Sequence, residues 1–163
     1  IFRSIERLDV ISVDEKDAKD YVTEVDRAAE LMIVQAIRKA YPTHGFLGEE
    51  GGALEGSGEG ADYQWIIDPL DGTTNFIHGF PVYCVSIALA VNGKVEQAVV
   101  YDPSRNDLFT ATKGRGAYMN DQLSSVSLDI AWVAPRVKCD FMTPGARMLK
   151  VMFSALTGLV DWL

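Results

Sequence analysis

The chain has 163 residues, 48% hydrophobic and 23% charged, and a formal net charge of −8. That length supports one domain, residues 1–163, with a core of ordinary size. The acidic balance argues against direct nucleic-acid binding or an anionic membrane surface, both of which call for a basic face. It leaves room for a small anionic substrate, because a bound cation inverts the local field.

Ile1, Ile5 and Leu8 share a helical face and predict the tail of an amphipathic helix. LDVISV reads as a short extended stretch, and residues 14–20, DEKDAKD, as a charged loop. The clearest helix follows. Val25, Ala28, Ala29, Met32, Ile33, Ala36 and Ile37 form its apolar stripe, Thr23 and Asp26 its capping arrangement, and Pro42 its stop. GFLGEEGG is a brief apolar run ending in two glutamates. ALEGSGEGAD is Gly-rich and acidic, and predicts a mobile surface loop. YQWII predicts a buried strand with Trp65 in the core. YCVSIALAV and KVEQAVVYD flank Asn92-Gly93, the dipeptide that suits a tight hairpin turn with two positive φ angles. DLFTAT and GAYMN predict a second hairpin around KGRG, so the sheet is expected to be largely antiparallel. Two further helices are expected, one with Leu128, Ala131 and Trp132 before Pro135, one with Met148, Leu149, Met152, Phe153 and Leu156. Helices alternating with hairpins predict an α/β or α+β sheet flanked by helices.

The two cysteines, Cys84 and Cys139, lack partners at metal-ligand spacing and read as reduced thiols. A reducing, cytoplasmic setting is the expectation. No apolar run approaches the roughly 20 residues of a membrane span. Ile1 falls within a helical pattern and GLVDWL in mid-element, so material is expected to be missing at both ends.

The stretch that asks for chemistry is WIIDPLDGTTNF, residues 65–76. Pro69 pushes Asp68 toward an extended conformation, so the turn can aim Asp68 and Asp71 into one volume. Two adjacent carboxylates repel without a cation, and hard oxygen donors suit Mg²⁺. Gly72-Thr73-Thr74-Asn75 follows. If it opens a short helix, its N–H groups face the same volume and favour a phosphate. Asp-Pro and Asp-Gly are also ordinary turn dipeptides. Glu49 ends a short apolar run as Asp68 does, and two neighbouring strands would bring those acidic ends together. Alone, GEEGG reads first as a solvated turn, and Asp26 as a favourable charge at a helix N-terminus. His44 and His78 carry little signal; His78, just past the phosphate turn, could line the pocket but reads first as a surface histidine, and Trp65 and Phe76 read as core. Arg105, Lys113 and Arg115 read as a solvated hairpin end rather than a basic patch.

DYVTEVDRAAE, GFLGEEGG and WIIDPLDGTTNFIHGFPVYCVSIAL together resemble the inositol monophosphatase family, Mg²⁺-dependent and lithium-sensitive phosphomonoesterases, and its bacterial branch in particular. The resemblance runs from Ile1 to about Asn120, and residues 121–163 diverge. It implies a layered αβαβα sandwich of the sugar-phosphatase type, incomplete on its C-terminal side. It implies Glu49 as a metal ligand, Asp68 as the carboxylate bridging two metals and Asp71 as a ligand of the second. The Leu70 carbonyl is implied as a further ligand, and Gly72 and Thr73 as the backbone N–H pair for phosphate. Thr73 would orient the attacking water, Asp26 would be its acidic partner, and Lys16 would stand near the site. The cofactor so implied is Mg²⁺ and the substrate a small phosphorylated polyol or sugar. A homodimer is also implied.

The family pattern breaks after Asn120. DQLSSV precedes SLDIAWVA where the family carries a longer, Arg-rich segment. The family's Trp-Asp motif, whose aspartate completes the second metal site, has no match. CDFMTPGARMLKVM stands there instead, so Asp140 is not assigned that role, and Asp161-Trp162 is reversed in order. A second expectation therefore stands beside the enzyme: a catalytically weak homologue that binds or regulates, since bacterial members resembling this chain engage the transcription machinery.

Overall fold

A computed structural model describes residues 13–17 and 20–124, and side chains from 23 to 122. Strands β1 (Val13–Asp17) and β2 (Asp20–Thr23) pair antiparallel. Residues 14–20 were expected as a loop. Backbone pairing overrides their charge, with Val13 registered to Thr23 and Asp17 to Asp20. Lys16 lies on β1, and its side chain lies outside the described residues.

Helix α1 (Glu24–Ala40) starts at Thr23, whose hydroxyl accepts from the backbone N–H groups of Val25 and Asp26 while Asp26 returns a bond to the Thr23 N–H. The expected capping arrangement is thus present, and Tyr41 and Pro42 end the helix as expected. Its orientation differs from the apolar stripe. Its fully buried residues are Val25, Asp26 and Glu30, whereas Met32 is 70% exposed. Asp26, Glu30, Ile33 and Ile37 follow the spacing of a single helix face, and the two acids on it turn that face inward by bonding to the loops beneath.

An eight-stranded sheet carries the rest, in the order β10-β9-β8-β7-β6-β5-β3-β4. Its members are β3 (Gly45–Gly48), β4 (Gly52–Leu54), β5 (Tyr63–Asp71), β6 (Cys84–Val91), β7 (Lys94–Asp102), β8 (Asp107–Thr112), β9 (Gly116–Met119) and β10 (Gln122–Ser124). The pairings from β5 through β10 are antiparallel, as the two hairpins predict. Asn92 and Gly93 both take positive φ, 50° and 73°, as their turn requires. β3 runs parallel to β5. ALEGSGEGAD is less irregular than expected, since β4 pairs with β3 and Gly58–Gly60 form one 3-10 turn.

Burial alternates along β6. Ala88, Ala98, Ala111 and Ala117 stand in one register row across β6 to β9, beside Ile66 of β5. Short α2 (Thr73–Ile77) follows β5, and Val25, Leu70, Phe76 and Tyr83 pack together where α1, β5 and α2 meet. Phe76 meets Tyr83 edge to face at 5.3 Å, in the core as expected. Trp65 is only half-buried. Its indole N–H donates to His44 Nδ1 at 3.1 Å, and His44 stacks between Tyr41 and Tyr63. His44, which carried little signal in the sequence, is therefore part of an aromatic stack. The two helices expected beyond residue 124, with Cys139, Asp140 and Asp161, and the expected helix tail at Ile1, lie outside the described residues.

Candidate active site

The first half of β5, Tyr63 to Ile66, is exposed or half-buried, while Ile67-Asp68-Pro69-Leu70-Asp71 is buried throughout. The most polar part of the strand is therefore its deepest part, the reverse of what transfer energies favour. The register with β6 slips between Asp68, opposite Ser86, and Asp71, opposite Cys84. Pro69 sits inside that irregularity, where it has no ladder hydrogen bond to make. The strand thus delivers two carboxylates, 2% and 3% exposed, at one end of the sheet.

Glu49 arrives from the neighbouring strand. Gly48 of β3 is registered with Ile67 of β5, and the Glu49 N–H donates to the Ile67 carbonyl at 3.2 Å. The parallel pairing puts the ends of both strands at the same edge, which makes Glu49 the neighbour of Asp68. Burial holds the Asp68 carboxyl well above the usual carboxylate range. The charges of Glu49 and Asp71 and a hydrogen bond to Glu49 push it further, opposed by a bond from the Leu70 backbone. Asp68 Oδ1 is buried and has no hydrogen-bond partner among the described residues.

That orphaned oxygen tests whether the site fits a cation. A desolvated carboxylate crowded by the charges of Glu49 and Asp71 is relieved by a proton or by a cation among them. Oxygen donors of this kind suit Mg²⁺ rather than a soft metal, so the residues present fit the ion. Among the described residues no three His, Cys, Asp or Glu side chains stand close enough together to hold a metal ion as they are, and like-charge repulsion disfavours such an assembly without a cation. Glu49, at the exposed rim of this group, hydrogen-bonds Asp68.

Thr73 occupies the other side. Gly72 adopts φ +94°, which a side chain rarely tolerates, and this lets the chain turn from β5 directly into α2. The Thr73 hydroxyl lies 2.9 Å from Asp26 Oδ1 and 3.0 Å from the Leu70 carbonyl. A hydroxyl has one proton to donate, so the two acceptors compete for it. Asp26 Oδ2 is held in turn by the Thr23 hydroxyl and N–H. Of the sequence-predicted residues, Asp26, Glu49, Asp68, Leu70, Asp71, Gly72 and Thr73 are thus brought to one edge by four elements, α1, the end of β3, β5 and the start of α2.

Two residues at the site carry no sequence expectation of a role. Glu30 is buried on α1 and accepts from the N–H groups of Glu50 at 2.9 Å and Gly51 at 2.7 Å. Its one-turn spacing from Asp26 was the available signal. Cys84 directs its thiol to Asp71 Oδ2 at 3.9 Å, which only the β5–β6 register discloses. His78 is exposed and bonds the Thr74 carbonyl at 2.7 Å. Arg105 pairs with Asp102 at 2.5 Å and Lys113 with Glu96 at 2.6 Å, so these cations are turn and hairpin-end contacts.

The model of the inositol monophosphatase family matches residues 1–137. The chain belongs to the inositol monophosphatase family. The match extends past Asn120, where the motifs fade. The Nus factor SuhB of Pseudomonas aeruginosa is 71% identical over 127 residues, covering 78% of this chain and 47% of that protein. In structure, the extragenic suppressor protein suhB of Bartonella henselae superposes with a TM-score of 0.74 at 43% identity, over 78% of this chain and 48% of that one. A staphylococcal inositol monophosphatase, solved as a lithium-soaked inhibitory complex, superposes with a TM-score of 0.64 at 29% identity, over 74% of this chain and 45% of that one. The mixed α/β fold is therefore the family's, and this chain spans about half the length of the relatives it matches.

Proposed function

We propose that these residues form a Mg²⁺-dependent phosphomonoesterase site for a small phosphorylated polyol or sugar such as inositol monophosphate. The observation that supports it most is the buried Asp68 carboxylate with its orphaned oxygen, crowded by Glu49 and Asp71. In this reading Glu49, Asp68, Asp71 and the Leu70 carbonyl hold Mg²⁺. The ion would supply the Lewis acidity that activates water and offsets charge on the phosphoryl group. The chain's own part is positioning. Glu49 and the Thr73 hydroxyl, fixed by Asp26, orient the water toward phosphorus. The Gly72 and Thr73 N–H groups hold the phosphoryl oxygens at the start of α2, where intrahelical acceptors are lacking. Water adds to phosphorus, the ester P–O bond breaks, and the alcohol leaves with a proton. Such preorganised placement accounts for most phosphoryl-transfer catalysis. Lys16, on β1, is proposed to stand near the phosphate. A cytoplasmic homodimer belongs to the same reading.

A second reading is favoured by one observation, the Nus factor name of the relative 71% identical to this chain. In it, the fold serves as a binding partner of the transcription machinery and turnover is weak.

Phosphate release from inositol 1-phosphate separates the two. Turnover that requires Mg²⁺, falls with lithium and is lost in Asp71→Asn carries the phosphatase reading. A folded wild-type chain without Mg²⁺-dependent turnover leaves the binding reading.

A further inference from the structure

We infer that Glu30 is the positioning residue of the Glu49 loop: its buried carboxylate clasps the Glu50 and Gly51 N–H groups and so sets Glu49 against Asp68. The inference rests on the metal-site reading above and adds a residue that the reading does not use.

Glu30 is 6% exposed, deep for a glutamate held by two backbone N–H groups. Each of its oxygens takes one loop N–H, Oε2 from Glu50 and Oε1 from Gly51. Charge-assisted bonds of this kind are roughly twice as strong as neutral ones. Two bonds on separate oxygens fix the direction of the loop as well as its distance from α1. The flanking glycines fit that carboxylate. A Cβ on Gly48 would stand 2.5 Å from Glu30 Cδ and both its oxygens, and one on Gly51 would stand 2.5 Å from Oε1. The Gly-Glu-Glu-Gly pattern is thus a cradle for an acid 20 residues earlier in the chain.

Glu30 does not act on Asp68 directly, since the charges that raise Asp68 are those of Glu49 and Asp71. Its effect passes through the loop. It also stands one turn from Asp26, which bonds Thr73. A single 17-residue helix therefore spaces the metal-ligand loop from the phosphate turn. Partners of this outer kind usually change metal affinity by about 10- to 100-fold when removed.

The test uses the full chain with Mn²⁺ as probe, its binding read by electron paramagnetic resonance, and amide hydrogen exchange read in parallel. Glu30→Gln keeps the shape but places an NH₂ against one loop N–H. It is expected to speed exchange at Glu50 and Gly51 and to weaken Mn²⁺ binding about tenfold. Gly51→Ala is the second variant, used also if Glu30→Gln fails to fold. Its Cβ displaces only the flexible end of Glu30, and it is expected to shift both readouts the same way. Faster exchange with Mn²⁺ affinity within about twofold of wild type would make Glu30 a staple and overturn the inference. Unchanged exchange in both variants would overturn it too. A wild-type chain that binds Mn²⁺ no better than Asp68→Asn removes the metal reading itself, and the inference with it.

Discussion

Asp68 sits where stability and chemistry conflict. A desolvated carboxylate beside two others is unfavourable in a metal-free chain, and its orphaned oxygen adds to the cost. Asp68→Asn keeps the shape and removes the charge. In EDTA the variant is expected to be more stable than wild type in urea titrations, by on the order of 1 kcal/mol. It is expected to lose Mg²⁺-dependent phosphate release as well. A variant less stable than wild type without metal would mean that Asp68 is held by compensating partners. Thr73 and Asp26 show how much of such a site is legible at this scale. DPLDGTT is a local signal, because Pro69 and Gly72 restrict or free their own backbone angles whatever surrounds them. The Thr73–Asp26 bond joins residues 47 apart, and no spacing rule for a helix or strand connects them.

At the scale of elements, α1 and β5 differ instructively from their patterns. The apolar stripe of α1 predicts which residues could face inward, but the inward face was chosen by Asp26 and Glu30 through bonds to Thr73, Glu50 and Gly51. Met32 consequently faces outward, and Met32→Lys is expected to change unfolding free energy by no more than about 0.5 kcal/mol. Phe76, packed against Tyr83 in the cluster joining α1, β5 and α2, is expected to cost about 3–5 kcal/mol when replaced by alanine. Urea unfolding of the two variants checks the pair, and a large loss at Met32 would contradict the orientation of α1. In β5 the apolar YQWII half was expected to be the buried one, yet IDPLD lies deeper. Hydropathy ranks residues by transfer cost, and a site built around ions is placed against that cost.

For the whole molecule, ligand linkage gives the broadest prediction. A cation that binds only the folded chain stabilises it by about 2.7 kcal/mol at a hundred times its dissociation constant. For a chain of this size that corresponds to a rise of roughly 5–10 °C in Tm. Saturating Mg²⁺ is expected to raise the wild-type Tm by that amount and to leave Asp68→Asn unmoved. An equal rise in both would assign the effect to general screening of the −8 net charge. Several parts of this molecule were settled by sequence alone. The turns at Asn92-Gly93 and Gly72, the cap at Thr23 and the family signature from GFLGEE to DGTTNF all depend on bonds among near neighbours in the chain. The tertiary structure alone decided that β3 lies parallel to β5 with Gly48 registered to Ile67, the pairing that realises the expected meeting of Glu49 and Asp68. It also decided that Glu30 reaches the Glu49 loop and that Cys84 faces Asp71. Those contacts follow from which strands pair and in what register. Backbone hydrogen bonds, alike for every residue, leave that choice to the packing of the whole chain.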